Sequence, residues 1–459
     1  MYQMSITEQD YMIIDPSQSK QRIEGWGTSL VWFANVIGGW SDSNREAIAD
    51  LLFCPKLGIG LNIVRYNIGG GENPDHQHMR AGATIPGFWS VERQWDWEAD
   101  ANQRWMLLAA KRRGADYYEA FSNSPPYWMT KSNCAAGTPD GTTGNLRDDC
   151  YEEFAHYLTE VVKQAAEKWG IVFQTLNPLN EPIARWWKEG NRQEGCHFDH
   201  NQQSLIIHAL QRKLEEKGLT QTRLSGPDET SIDDTLESFT AYDDDTKSLV
   251  YQINTHSYEG SKRAQLRKLA AVHGKRLWMS EYGNSGNVAH DHHDIVPALQ
   301  LSAQILKDMK ELECSAWIYW QAVEDEGNAR EASGNWGFIH ADLTGKTENY
   351  YMTKKYYAMA NYSKFMKPGY MILESGKSGV LTAYSTFMQE LVILIHNDSL
   401  IGQEYKINLA LFDLKGQTAV PHRTSNNENL ERLQPISLVD RCLIITAPPQ
   451  SITTYVISA

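Results

Sequence analysis

Eight short runs rich in β-forming residues alternate with eight amphipathic runs along most of this chain, and few folds accommodate that order. The β-like runs cover 23–33, 60–69, 115–122, 173–181, 222–228, 251–258, 276–282 and 314–321. Helical patterning occupies 45–53, 102–113, 151–168, 202–217, 232–240, 262–272, 295–312 and 350–365. Ser43 and Glu46 read as a capping box opening the first helix. Regular alternation of strand and helix calls for a parallel sheet, and eight of each predicts a closed α/β (β/α)8 TIM barrel. An open doubly wound sheet usually has fewer strands, and no G-x-G-x-x-G follows the first run.

The texture changes after Lys367-Pro368-Gly369. Strand-like stretches at 391–395, 405–412, 442–446 and 452–457 follow at turn-separated intervals, which predicts an antiparallel β-sandwich beside the barrel. The strand-like residues 11–14 precede the first barrel run and are expected to join that sandwich. The predicted domains are therefore a barrel over 22–365 and a sandwich built from 1–21 plus 366–459. The 43 basic against 57 acidic side chains, a net charge of −14, argue against nucleic acid as a partner. No apolar run reaches the ~20 residues of a membrane helix, so no membrane partner is expected. No signal peptide is visible, which predicts a cytoplasmic protein if the sequence is full length and an extracellular one if a signal was removed. The six cysteines form no C-x-x-C pair. Cys134 and Cys150 flank a Gly/Thr/Asp-rich stretch and either close a loop or stay reduced.

Chemistry in such a barrel belongs at the C-terminal ends of the strands. The fourth run ends in Asn180-Glu181 and the seventh in Ser280-Glu281, on strands facing each other across the mouth. Either glutamate alone is more readily a surface or salt-bridged carboxylate. Together they form the pair that glycoside hydrolysis requires, one to protonate the leaving oxygen and one to attack the anomeric carbon or activate water. Glu281 is assigned as nucleophile and Glu181 as general acid/base. Asn180 is placed to bind a sugar hydroxyl; His256 and Tyr258 end the sixth strand at the same mouth and are expected to bind substrate, Tyr258 also bonding the nucleophile, with a satisfied structural histidine as the alternative for His256. Trp128 and Trp320 are expected to wall the first sugar subsite, in keeping with a chain of 15 Trp and 22 Tyr; core packing is the plainer alternative for each. Arg65 is expected to brace the nucleophile from behind. No metal cluster or cofactor motif is apparent, and this chemistry needs neither.

The segments GWGTSLVW (25–32), RYNIGGG (65–71), SNSPPYWM (122–129), NPLNEP (177–182), NTHSY (254–258), SEYG (280–283) and SITTYVI (451–457) resemble, in this order, glycoside hydrolase family 30. The similarity spans essentially the whole chain. The resemblance implies a barrel with a side sandwich built from both termini, and retaining hydrolysis of β-linked sugars. By motif, Glu181 matches the acid/base and Glu281 the nucleophile, while Trp128, Asn180, Tyr258 and Trp320 match sugar-contacting positions. Asn335 resembles a residue of a site-lining loop. The opening segment is most similar to the endo-β-1,6-galactanase branch, which implies an oligo- or polysaccharide substrate of β-1,6-linked galactose. The alternatives are an exo-acting member, a member acting on glucosyl, xylosyl or fucosyl linkages, and a carbohydrate-binding protein that has lost catalysis. Both carboxylates are present, which disfavours the last.

Overall fold

A computed structural model describes residues 11–284, 291–327 and 336–458. Eight parallel strands close into a barrel: β1 (Gly25–Ser29), β2 (Ile63–Asn67), β3 (Tyr117–Phe121), β4 (Thr175–Asn177), β5 (Arg223–Ser231), β6 (Val250–Glu259), β7 (Arg276–Tyr282) and β8 (Ala316–Gln321). Closure is made by β8 against β1, with Ala316 opposite Gly25 and Tyr319 opposite Thr28. Helices on the outside connect successive strands, so the barrel strands bury side chains both inward and outward, and β1, β2 and β8 are buried along their whole length.

The inward positions explain how the barrel can hold charge. Ile63, Trp278, Ala316 and Ile318 form a small apolar plug. Above it, Glu119 on β3 accepts hydrogen bonds from Arg65, Thr175, Ser225, Gln252 and Asn254. A fully buried carboxylate is tolerable only when its acceptor capacity is met in this way. On β6 the strand period is explicit: Asn254, His256 and Tyr258 face inward, while Thr255 bonds Thr235 and Ser257 bonds Asp308 on the helical side.

The sandwich consists of two sheets. The larger has the order Glu431–Arg432, Thr418–Thr424, Ser451–Ile457, Glu390–Asn397, Val380–Ser385, Met371–Leu373, Ser19–Arg22. The smaller joins Met12–Ile13, Gln403–Asn408 and Cys442–Ala447. The run LVILI has no polar alternation because it is buried on both faces. Leu391, Ile393 and Ile395 pack into the sandwich core, and Val392 and Leu394 into the core shared with the barrel. Both chain ends contribute, since Met371 pairs with Arg22 and Met12 pairs with Ile407. The pairing of Met12–Ile13 is parallel, within an otherwise antiparallel domain.

Three local readings are corrected. The 23–33 run divides into β1 and a helix at Val31–Ile37. The 350–365 run divides into a strand, Tyr350–Met352, antiparallel to Ile339–Ala341, and a helix at Lys354–Ser363. In both, apolar and aromatic residues fit either period over so short a stretch. The Ser43/Glu46 capping box does not form: the helix starts at Asp42, and the preceding Ser41 spends its amide and hydroxyl on the Glu348 carboxylate. A capping box does open His200–Glu216, between Asp199 and Gln202. All six cysteines are free thiols. Cys134 lies beside His78 and Cys150 beside Asp149 and Glu153, so no bridge joins them. Among the described residues, no helix is long and apolar enough to cross a membrane.

Candidate active site

At the end of β4 the chain turns sharply. Asn177 Oδ1 accepts the Leu179 amide at 3.1 Å, and Glu181 follows with φ of +48°, in the left-handed region that non-glycine residues seldom enter. The strained residue is held from two sides: its amide donates to Asp228 O at 2.8 Å, and Trp187 Nε1 donates to its carbonyl at 2.9 Å. Strain of this kind persists only where surroundings over-determine it, and it concentrates at functional sites. It aims the Glu181 carboxyl into the barrel mouth.

Two irregularities aim the opposing groups. The pairing of β5 with β6 slips around Asp228, itself at φ +66°, and the pairing of β6 with β7 slips between Thr255 and His256, opposite Ser280. Extra residues of this type redirect side chains. Here they let Asp228, Ser280 and Glu281 all reach the barrel interior, with Ser280 Oγ donating to Asp228.

The resulting centre is compact. Carboxylate oxygens of Glu181 and Glu281 lie within 4.8 Å of each other and of a ring nitrogen of His256. Tyr258 Oη donates to Glu281 Oε1 at 3.0 Å. His256 Nδ1 lies 3.2 Å from Glu181 Oε1 and 3.6 Å from Glu281 Oε1, and its Nε2 lies 3.3 Å from Asp228 Oδ1. Arg65 is fully buried; it donates to Glu119 at 2.8 Å, to Asp228 and to Ser280 O at 3.1 Å, and stands 3.7 Å from Glu281 Oε2. Its guanidinium also covers the Phe121 ring at 4.2 Å. Arg65 thus meets Glu281 only at its longest contact, and its shorter ones anchor Asp228 and Glu119.

Burial pushes the Glu281 carboxyl up to about 7; His256 and Arg65 oppose this, and Glu181 adds to it. Burial alone would lower the His256 imidazole, yet Glu281 and Asp228 outweigh it and push it up to about 10. Burial would raise Asp228, but Arg65 and His256 hold it at about 2. Tyr258 is raised well above its ordinary value, first by burial, and stays a hydrogen-bond donor. The centre therefore carries two fixed cations under a pair of carboxyls.

These shifts have a consequence for stability. His256 is raised above its unfolded value of about 6.5, so its contribution is complete below that pH and is lost as pH rises through 10. Asp228 is depressed, so its contribution is present above about 3.9 and is lost as pH falls through 2. Urea denaturation of wild-type protein should show stability declining between pH 6.5 and 10, and His256→Gln should flatten that alkaline arm and shrink the acid arm without abolishing it, since Arg65 still holds Asp228 down.

The remaining expected residues are placed as follows. Asn180 is buried and its Oδ1 has no hydrogen-bond partner among the described residues. Leaving such an acceptor unpaired costs about 1–3 kcal/mol, which a ligand hydroxyl would recover. His256 is fully buried, so it holds the carboxylates and has no surface to offer a sugar. Trp320 packs edge-on to Trp32, at 5.1 Å, in a cluster with Phe121 and Ile85. Trp128 lies elsewhere on the rim: its indole N–H bonds Trp89 O at 3.1 Å and Arg93 covers its ring at 4.1 Å. Asn335 lies outside the described residues. Its neighbour Trp336 packs on Gly283, where an added Cβ would stand 3.0 Å from the indole, two residues beyond Glu281.

Comparison with known proteins agrees with this arrangement. The family described as "O-Glycosyl hydrolase family 30" matches residues 9–244. An endo-beta-1,6-galactanase of Hypocrea rufa is 32% identical over 412 residues, covering 84% of this chain and 81% of the relative. An exo-beta-1,6-galactobiohydrolase of Bifidobacterium longum subsp. longum is 26% identical over 433 residues, 70% of this chain and 28% of that longer protein. In fold, a conserved exported protein from Bacteroides fragilis superposes with a TM-score of 0.83 at 23% identity, covering 97% of this chain and 99% of that one. The catalytic domain of GH30 xylanase C from Talaromyces cellulolyticus superposes at 0.72 with 20% identity, again over 97% and 99%. With the family matched over half of its length and a relative 32% identical along most of both proteins, the chain belongs to O-glycosyl hydrolase family 30 and is a glycoside hydrolase.

Proposed function

We propose that the protein hydrolyses β-1,6-linked galactan chains by double displacement with retention at the anomeric carbon. The observation that carries the mechanism is the separation of the two carboxylates, within 4.8 Å at their facing oxygens. Retaining sites hold their carboxyls about 5–5.5 Å apart, whereas inverting sites need about 6.5–9.5 Å to admit a water. The galactan substrate is supported by the Hypocrea rufa relative.

In the first step Glu281 attacks the anomeric carbon as the glycosidic bond breaks. The bonding pair leaves with the departing oxygen, which takes the proton of Glu181. In the second, a water gives its proton to Glu181 and attacks the same carbon, releasing the Glu281 carboxylate. Tyr258, bonded to Glu281 Oε1, orients the nucleophile. Asp228 fixes both partners of the pair, through the Glu181 amide and through His256.

Digestion of β-1,6-galacto-oligosaccharides beside β-1,3-galactan, β-1,6-glucan and xylan tests the reading. Selective cleavage of the β-1,6-galactosyl chains, with the β-anomer formed first by NMR, is the expected result. Initial formation of the α-anomer overturns the mechanism, and preference for another polymer overturns the substrate. Internal products against successive small ones separate endo from exo action.

A further inference from the structure

The geometry points to a second site, a structural zinc-type site at the barrel rim with His76, His78, Cys134 and Glu189 as its four ligands. A ligating atom from each of His76, His78 and Cys134 lies within 4.8 Å of the others. Cys134 Sγ is 3.7 Å from His78 Nε2, and His76 Nδ1 is 3.4 Å from Glu189 Oε1. Zinc–sulfur and zinc–nitrogen lengths of about 2.3 and 2.05 Å at tetrahedral angles require ligand separations of roughly 3.6 Å for S···N and 3.4 Å for N···N or N···O. The Cys134–His78 and His76–Glu189 spacings match that requirement, and side-chain rotation brings the other ligand pairs to it. Two imidazoles, a thiolate and a carboxylate form a donor set suited to a borderline-soft tetrahedral ion and unsuited to calcium or magnesium.

The backbone already holds these ligands together. They come from the loops that follow β2, β3 and β4. Asn73 Nδ2 donates to Asn133 O at 3.0 Å, beside Cys134, and the Glu189 amide donates to Thr138 O at 3.1 Å. The Cys134 amide is fixed on Thr130 Oγ1 at 3.0 Å, and the Ala136 amide points at Cys134 Sγ at 3.5 Å, a donation that stabilises a thiolate. Glu72 is fully engaged by the His78 and Met79 amides and by Thr84, so it orients the loop without competing as a ligand. Four protein ligands leave no open position, which makes the ion a staple between three rim loops and separates it from the hydrolytic chemistry.

The plainer reading is a thiol–imidazole contact beside a His–Glu ion pair, and cobalt substitution distinguishes the two. Untagged full-length protein, stripped with a chelator, is titrated with Co²⁺. The expected result is one equivalent bound, with intense visible bands of a tetrahedral ion, a near-ultraviolet thiolate-to-cobalt band, and displacement of both by Zn²⁺. Cys134→Ser should remove the thiolate band, and His76→Ala should weaken binding at least tenfold. Zn²⁺ should raise the melting temperature of the wild type and not of His76→Ala. His76 is only half-buried, so His76→Ala should fold even if the buried Cys134→Ser proves unstable. A weak octahedral spectrum in the wild type, or a thiolate band that survives in Cys134→Ser, overturns the proposal.

Discussion

Glu281→Gly should abolish hydrolysis of every glycoside, with a loss on the order of 10⁵ or more in kcat, because among the described residues no other group stands where the anomeric carbon is attacked. The loss should not depend on the leaving group, since even an activated phenolate cannot depart without a nucleophile or a trapped cation. The vacated volume gives the sharper readout. Azide entering the space of the missing carboxylate attacks a dinitrophenyl β-glycoside from the α face and should give the α-glycosyl azide. Arg65, Asp228 and His256 keep one another as partners in this variant, so its circular dichroism and melting should stay close to wild type. Residual hydrolysis at wild-type rates would remove Glu281 from the mechanism.

How much of this centre could be read from the sequence depends on how each residue earns its place. Glu181 and Glu281 end strands that face each other, and a rule about strand ends finds them without coordinates. Asp228 also ends a β-like run, at 222–228, yet the rule did not single it out. Its importance comes from a slipped register and a left-handed backbone, which turn it inward onto Arg65 and His256. Neither feature has a sequence signature without glycine or a repeated pattern to mark it. Glu119 sits in mid-strand, where a carboxylate reads as improbable; only the convergence of donors from β2, β4, β5 and β6 makes it tolerable. The ring of Trp128 illustrates the converse. Its motif resembles a sugar-contacting position, but a face available to a sugar depends on what covers the ring, and Arg93 arrives from a distant loop. At the level of the fold, the strand–helix alternation was legible because it repeats eight times, while the boundaries at 30 and 353 were not. There the deciding contacts are the Leu30 amide on Arg65 O and the Thr353 amide on Phe338 O, both remote in sequence.

Glu181→Ala should fail in a different and diagnostic way. Its first step requires a proton only when the departing oxygen is a poor leaving group. For galacto-oligosaccharides the leaving group is a sugar alkoxide, and the loss should be about 10²–10⁴-fold, the range of a missing general acid. For a dinitrophenyl glycoside the first step should run at near wild-type speed. The second step then limits, because water has lost its base, so the glycosyl-enzyme should accumulate and appear as a burst of phenolate followed by slow turnover. Azide needs no base. It should accelerate the slow phase and give the β-glycosyl azide, attacking the intermediate on the face opposite Glu281. The two variants thus trap azide on opposite faces of the same carbon, a distinction that general damage to the site cannot reproduce. Exchange of the two anomers would reverse the assigned roles. The backbone adds a control, since residue 181 sits at φ +48° and is held by Asp228 O. Glu181→Gln keeps the side-chain volume and the contact with His256 at 3.2 Å. If the proton alone is at stake, Glu181→Gln should show the same leaving-group dependence as Glu181→Ala; a burst confined to the alanine variant would assign its defect to packing.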